Sequence, residues 1–150
     1  MTNFMEKDLR PMRMHHVGII TPTMEKAEEF LERWGLEIDY RGYVKAYKAD
    51  LIFTKYGANS SPIELIIPNE GSVLKSVNQG KGGIAHIAFE VDDIEAWRTH
   101  FEGKGMKMLE REAVEGTEDI IVNFLRPKYN DGILVELVQT VGPINREFKK

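Results

Sequence analysis

Apolar and polar positions along the chain follow two different periods, and the switches between them mark out the elements. MHHVGII (14–20) and GIAHIAFEV (83–91) are short apolar runs with the length and pattern of buried strands. Helical spacing takes over after the first run, where Met24, Ala27, Phe30 and Leu31 form one apolar stripe. Helices are expected over about 23–34 and 93–104. Thr23 and Asp92 or Asp93 suit the N-caps, and Gly35 and Gly105 suit the helix stops. Three further strand-like runs follow each glycine. They are LEIDYRGYVKAY, ADLIFTKY and PIELIIP in the first half, and MKMLERE, DIIVNFL and GILVELVQ in the second. Between the halves, PNEGSVLKSVNQGKGG is glycine-rich and polar apart from SVLKSV, which predicts a linker with one helical turn.

The two halves repeat one another. His15 to Ile38 lies over Ala85 to Met108 at a constant offset of 70 residues, so that His16 meets His86, Val17 meets Ile87, Leu31 meets Phe101 and Gly35 meets Gly105. Ile63-Glu64-Leu65 lies over Val135-Glu136-Leu137 once two extra residues are allowed in the second half. Each half is therefore β-α-β-β-β. The period is too long and the copies too few for a solenoid, so the repeat predicts a duplicated module within one domain. The expected layout is a flexible leader over 1–12 and a single domain over 13–140, followed by a tail over 141–150. Module 1 covers 13–68, the linker 69–81 and module 2 82–140.

Four polar residues interrupt the apolar strands at equivalent places: His16 and His86 in the first strand of each copy, Glu64 and Glu136 in the last. Side chains alternate across a strand, so only one of His15 and His16 can face a shared interior. His86 aligns with His16, whereas His15 aligns with Ala85, which places His15 outside the site. A lone histidine in such a strand is more often a hydrogen-bonded core residue, and a lone glutamate usually points outward. Two imidazoles and two carboxylates placed by a duplication are different. No buried lysine or arginine is evident as their partner, burial without compensation is costly, and a divalent ion relieves it. Two nitrogen and two oxygen ligands without sulfur suit Zn, Ni, Co, Mn or Fe, one ion per site. Four protein ligands on an ion that prefers six leave two positions for water or substrate oxygens, an open and catalytic arrangement.

Composition narrows the partners. With 42% hydrophobic and 29% charged residues, the chain has the make-up of an ordinary globular protein. The absence of cysteine removes disulfides, thiolate ligands and a cysteine nucleophile. Net charge is -4 and the basic residues are scattered, which argues against nucleic acid. Apolar runs such as IELII fall far short of a membrane span, and the first residues lack a secretory pattern, so a cytoplasmic protein with a small-molecule partner and no membrane is expected. Trp34 and Trp97 read as core or interface residues, and His100, which aligns with Phe30, as a packing residue.

Paired βαβββ modules with histidine in the first strand and glutamate in the last resemble the vicinal oxygen chelate (glyoxalase/bleomycin resistance/dioxygenase) superfamily over residues 14–139. GGIAHIAFEVDDI (82–94), LRPKYNDGILVELVQ (125–139) and HHVGI (15–19) look most like methylmalonyl-CoA epimerases and their glyoxalase-like relatives. The resemblance implies an α+β fold in which the two modules form one curved mixed sheet around a metal-binding cleft. It implies His16, His86 and Glu136 as metal ligands, and Glu64 as the fourth, at a position where glyoxalase I also carries glutamate. It also implies a divalent-metal-dependent epimerase or isomerase that removes a proton next to a carbonyl, and a homodimer. The epimerase base, a glutamate in an EQGV-like stretch, has no counterpart between Glu37 and Glu64. Glu136 or Glu64 is then the expected proton acceptor, with Asp50, Lys48 or Tyr47 serving the opposite face. Tyr47, Phe53, Asn123 and Arg126 are expected to line the substrate pocket. Two alternatives stand beside this: a glyoxalase I-like lactoylglutathione lyase, favoured by Glu64, and a non-catalytic small-molecule binding or resistance protein, whose relatives usually lack the ligands.

Overall fold

A computed structural model describes residues 9–57, 60–117 and 119–142. Most of the expected leader and nearly all of the expected tail therefore lie outside the described residues. Among the described residues, the chain builds β1 (Arg13–Ile20), α1 (Met24–Trp34), β2 (Ile38–Val44), β3 (Ala49–Thr54) and β4 (Ile63–Pro68), then β5 (Gly83–Glu90), α2 (Ile94–Glu102), β6 (Val114–Glu115), β7 (Ile120–Leu125) and β8 (Val135–Thr140). The strands follow the order β2-β3-β4-β1-β5-β8-β7-β6 in a mixed sheet, which is the α+β arrangement expected. The chain divides into two compact units: His16–His86, and a second that takes in 9–15 and 87–142. No helix among the described residues is long and apolar enough to cross a membrane.

In the unit His16–His86, β1 runs parallel to β4 with Gly18 opposite Glu64. β3 joins β4 antiparallel with Phe53 opposite Glu64, and β2 adds to β3. Alternation along these strands separates two apolar faces. Ile52, Leu65 and Ile67 pack with Ala27 and Leu31 of α1, while Leu51, Phe53 and Ile66 cluster with Ile20 and Ala49 on the other side. Each fully buried aliphatic or aromatic side chain contributes about 1.5–3 kcal/mol, which is what holds α1 to the sheet. Local signals fix the helix ends. Thr23 Oγ1 accepts from the Lys26 N–H at 3.1 Å, and Gly35 stops the helix in the left-handed region with φ 66°. Trp34, at 65% exposure, does not belong to the core. The linker carries the expected helical turn in the stretch Val73–Gly80, where 3-10 structure is interrupted by non-helical backbone at Val77, Asn78 and Gln79.

The second unit repeats the plan. β5 runs parallel to β8 with Ala88 opposite Glu136, and β7 joins β8 antiparallel with Phe124 opposite Glu136. Val91, Ile94, Met108 and Leu137 pack with Trp97 and Phe101 of α2. Asp93 caps α2, accepting from the Glu95 and Ala96 N–H groups, and the Gln139 side chain accepts from the Ile94 N–H at 2.9 Å. His100 packs against Trp97 and Phe101 on the same helix, as its alignment with Phe30 suggests.

One expected strand is displaced. MKMLERE does not form a strand: Met108 makes a single bridge to Leu125, and β6 is a two-residue strand at Val114–Glu115. The side chain of Asn123 supplies the reason. It accepts from the Glu110 N–H at 2.9 Å and donates to the Glu110 carbonyl at 3.0 Å, so a side-chain amide does what a neighbouring strand's backbone would do.

Candidate metal centre

Three of the four candidate ligands belong to the unit His16–His86, and their polar atoms converge. His16 points to the same side of β1 as Gly18 and Ile20, because side chains alternate. Glu64 sits beside Gly18 on β4, two residues along from His16. His16 Nε2 and His86 Nε2 are 3.0 Å apart, and Glu64 Oε1 lies 3.2 Å from the first and 3.4 Å from the second. All three residues are buried, at 2%, 6% and 7% exposure for His16, His86 and Glu64. Phe53, opposite Glu64, meets the His16 ring in a T-shaped contact at 5.2 Å between centroids and stacks on Tyr40 at 4.8 Å. His15 is fully buried but faces the other side of β1, as the repeat requires.

These donors fit a divalent ion. Two ligand atoms about 2.1 Å from one ion stand about 3.0 Å apart at a right angle and about 3.4 Å apart at a tetrahedral angle. The observed separations of 3.0, 3.2 and 3.4 Å span that interval. Electrostatics agrees with the geometry. Burial by itself pushes the Glu64 carboxyl up, but the charges of His16 and His86 and their hydrogen bonds to it outweigh burial and hold it below the ordinary carboxylate value. An ionised carboxylate facing two imidazole nitrogens in a buried site is a hard and borderline donor set without sulfur, of the kind that binds Zn, Mn, Fe, Co or Ni.

Glu136 occupies the matching place in the second unit. It lies on β8 beside Ala88, which is two residues along β5 from His86, just as Glu64 lies beside Gly18, two residues along β1 from His16. Its side chain is buried, with 7% of the residue exposed.

The remaining candidates are distributed differently. Phe53 lies on the face of β3 that meets His16, where the pocket was expected. Asp50 does not: it stands opposite Ile67 and shares the alternation of Ile52, whose side packs on α1, so it faces away from the site. Asn123 is likewise on the helix-covered side of its strand, opposite Leu137, and its amide is committed to Glu110 and to the Phe124 N–H. Phe124, one position on, is the residue that matches Phe53, since both stand opposite a site glutamate. The repeat offsets of 70 and 72 do not pair them, since they lie 71 residues apart, and only the strand register brings the match out. Lys48 is exposed at a left-handed turn (φ 50°), and Tyr47 closes the preceding 3-10 turn half-buried, so neither belongs to the buried cluster. Arg126 is half-buried just past β7, leading into the 3-10 turn Pro127–Tyr129, and its Nε is buried without a hydrogen-bond partner.

Comparison with known proteins bears on what such an arrangement is. The sequence profile of the glyoxalase/bleomycin resistance protein/dioxygenase superfamily matches residues 15–124. The chain belongs to that superfamily. Among its members, human mitochondrial methylmalonyl-CoA epimerase is 30% identical over 131 residues, covering 85% of this chain and 73% of the human protein. The ethylmalonyl-CoA/methylmalonyl-CoA epimerase of Cereibacter sphaeroides is 33% identical over 132 residues, covering 85% and 97%. Among solved structures, a single-site variant of Streptomyces coelicolor methylmalonyl-CoA epimerase in complex with 2-nitronate-propionyl-CoA superimposes with a TM-score of 0.79. It is 26% identical and covers 89% of this chain and 100% of that one. The profile match spans residues of both halves of the repeat, and these relatives are methylmalonyl-CoA epimerases.

Proposed function

We propose that the chain is a divalent-metal-dependent epimerase that inverts the carbon next to the carbonyl of a 2-substituted acyl-CoA thioester, with methylmalonyl-CoA or a close homologue as substrate. His16, Glu64, His86 and Glu136 are the proposed ligands. The observation that carries the proposal is the approach of two buried imidazole nitrogens and a buried carboxylate to within 3.0–3.4 Å of one another. Relationship to epimerases supports the reaction class and favours it over the glyoxalase I-like lyase, and the presence of all four proposed ligands in the sequence disfavours a binding or resistance protein.

When bound, the ion supplies Lewis-acid stabilisation of the negative charge that develops on the thioester oxygen as the neighbouring proton leaves. The protein's own contribution is orientation and proton handling. His16 and His86 are held by burial, and a T-shaped contact with Phe53 restrains the His16 ring. Glu64 is held ionised by the two imidazoles that face it, the state in which a carboxylate ligates a metal ion. Glu136 is the proposed proton acceptor. With Asp50 turned away, Tyr47, Lys48 or water is the proposed group that returns a proton to the opposite side.

The test is proton exchange in deuterated water. Metal-loaded protein is incubated with racemic methylmalonyl-CoA and, separately, with the hemithioacetal of methylglyoxal and glutathione, and both are followed by NMR. Deuterium entering C2 of the thioester much faster than without protein is expected. Turnover of the hemithioacetal with an inert thioester would replace the epimerase by a lyase.

A further inference from the structure

Gly18 lies in the middle of a parallel strand, where a β-branched residue would ordinarily add packing and where glycine costs stability. Its backbone does not explain the choice, since Gly18 is not among the residues with positive φ, and any L-residue could take its conformation. Space explains it. A Cβ built on Gly18 would stand 2.1 Å from Cε1, 2.5 Å from Nδ1 and 2.7 Å from Nε2 of His86, so the imidazole lies flush against the β1 backbone. Every atom it would strike belongs to a buried ring, not to the free end of a flexible chain.

What the missing side chain allows follows from the register. Gly18 is the direct neighbour of Glu64 on β4 and sits two residues from His16 on the same face of β1. The slot above it therefore opens between these two residues. With its ring in that slot, His86 Nε2 reaches 3.0 Å from His16 Nε2 and 3.4 Å from Glu64 Oε1. A methyl group in the slot pushes the ring outward and lengthens both distances. The equivalent residue in the second half is Ala88, so the requirement for a hydrogen in place of a methyl is particular to the first copy.

We infer that Gly18 is a positioning residue of the metal centre: its absent side chain is the slot that fixes the His86 imidazole against His16 and Glu64. This rests on the metal-centre reading of those three residues for its consequence, but the steric claim stands without it.

Two measurements separate the two. The first is a double-mutant cycle on the metal-free protein, followed by thermal unfolding. Gly18→Ala is expected to lower Tm by about 2 to 12 °C when His86 is present, as overpacking does in a chain of this size. In the His86→Ala background the same substitution should leave Tm unchanged or raise it, because the slot is then vacant and alanine is the better strand residue. If Gly18→Ala fails to fold alone, folding of the double variant carries the same information. Equal Tm changes in both backgrounds would overturn the slot. The second measurement is a cobalt titration followed by the visible spectrum. Gly18→Ala should bind Co2+ at least about tenfold more weakly than the parent and with an altered band pattern. An unaltered affinity and spectrum would overturn the positioning role. Failure of the parent protein to take up Co2+ would instead refute the metal-centre reading, and the cycle would still decide the slot.

Discussion

Replacing Asn123 with alanine tests whether this residue builds the fold or contacts substrate. Its side chain is fully buried and makes three hydrogen bonds, to the Glu110 N–H at 2.9 Å, to the Glu110 carbonyl at 3.0 Å and to the Phe124 N–H at 2.8 Å. Each is worth about 1 kcal/mol net, and a backbone group left without a partner adds to the loss, so the substitution should cost about 2–4 kcal/mol. At 2–4 °C per kcal/mol for a chain of this size, Tm should fall by roughly 4–16 °C. Differential scanning calorimetry on the metal-free protein reads that shift, and a metal titration with steady-state kinetics on the folded variant reads the site. The expected result is a large fall in Tm with metal affinity and KM near the parent values. A Tm within about 1 °C of the parent, together with a raised KM, would refute the structural role and return Asn123 to the pocket.

Other outcomes follow from the same geometry. Glu136→Gln should keep most of the metal but abolish exchange of the substrate α-proton with solvent, measured by NMR in deuterated water; unchanged exchange removes Glu136 as the base. Glu64 has a folded-state pKa below its unfolded value, so its contribution to metal-free stability is present above the ordinary carboxylate range and is lost as pH falls through the folded pKa. Urea unfolding across that acid range should therefore show a steeper loss for the parent than for Glu64→Gln; equal slopes would contradict the ion-paired state. Lys48→Gly relieves a left-handed backbone (φ 50°) at an exposed turn and should leave Tm unchanged or raise it by a few degrees, about 1 kcal/mol at most. Loss of proton exchange in that variant would make Lys48 part of the chemistry.

The duplicated plan was legible because each half preserves its periodicity and its glycine stops at a fixed offset. The same offset distinguished His16 from its neighbour His15, and strand alternation then put them on opposite faces, where they are found. Legibility ended where a one-residue choice of face mattered. Asp50 and Asn123 are polar residues in central strands and invited a functional role. The register puts both on the helix-covered side, and in each strand the residue facing the site is a phenylalanine, Phe53 or Phe124. MKMLERE carries the composition of a strand, but at Glu110 its backbone bonds the Asn123 side chain instead of a neighbouring strand, a long-range substitution that local pattern does not reveal. The slot over Gly18 is equally a tertiary fact. A glycine inside a strand signals a close approach, but only the fold identifies His86 as what approaches.

The central claim is that one divalent ion sits among His16, Glu64, His86 and Glu136. An anomalous difference map from crystals of the cobalt-loaded protein, collected at the cobalt edge, tests it most directly. One strong peak within ligand distance of His16 Nε2, His86 Nε2 and Glu64 Oε1 is predicted, with Glu136 as the fourth protein donor. Strong density elsewhere on the chain, with these side chains hydrogen-bonded only to one another, would contradict it.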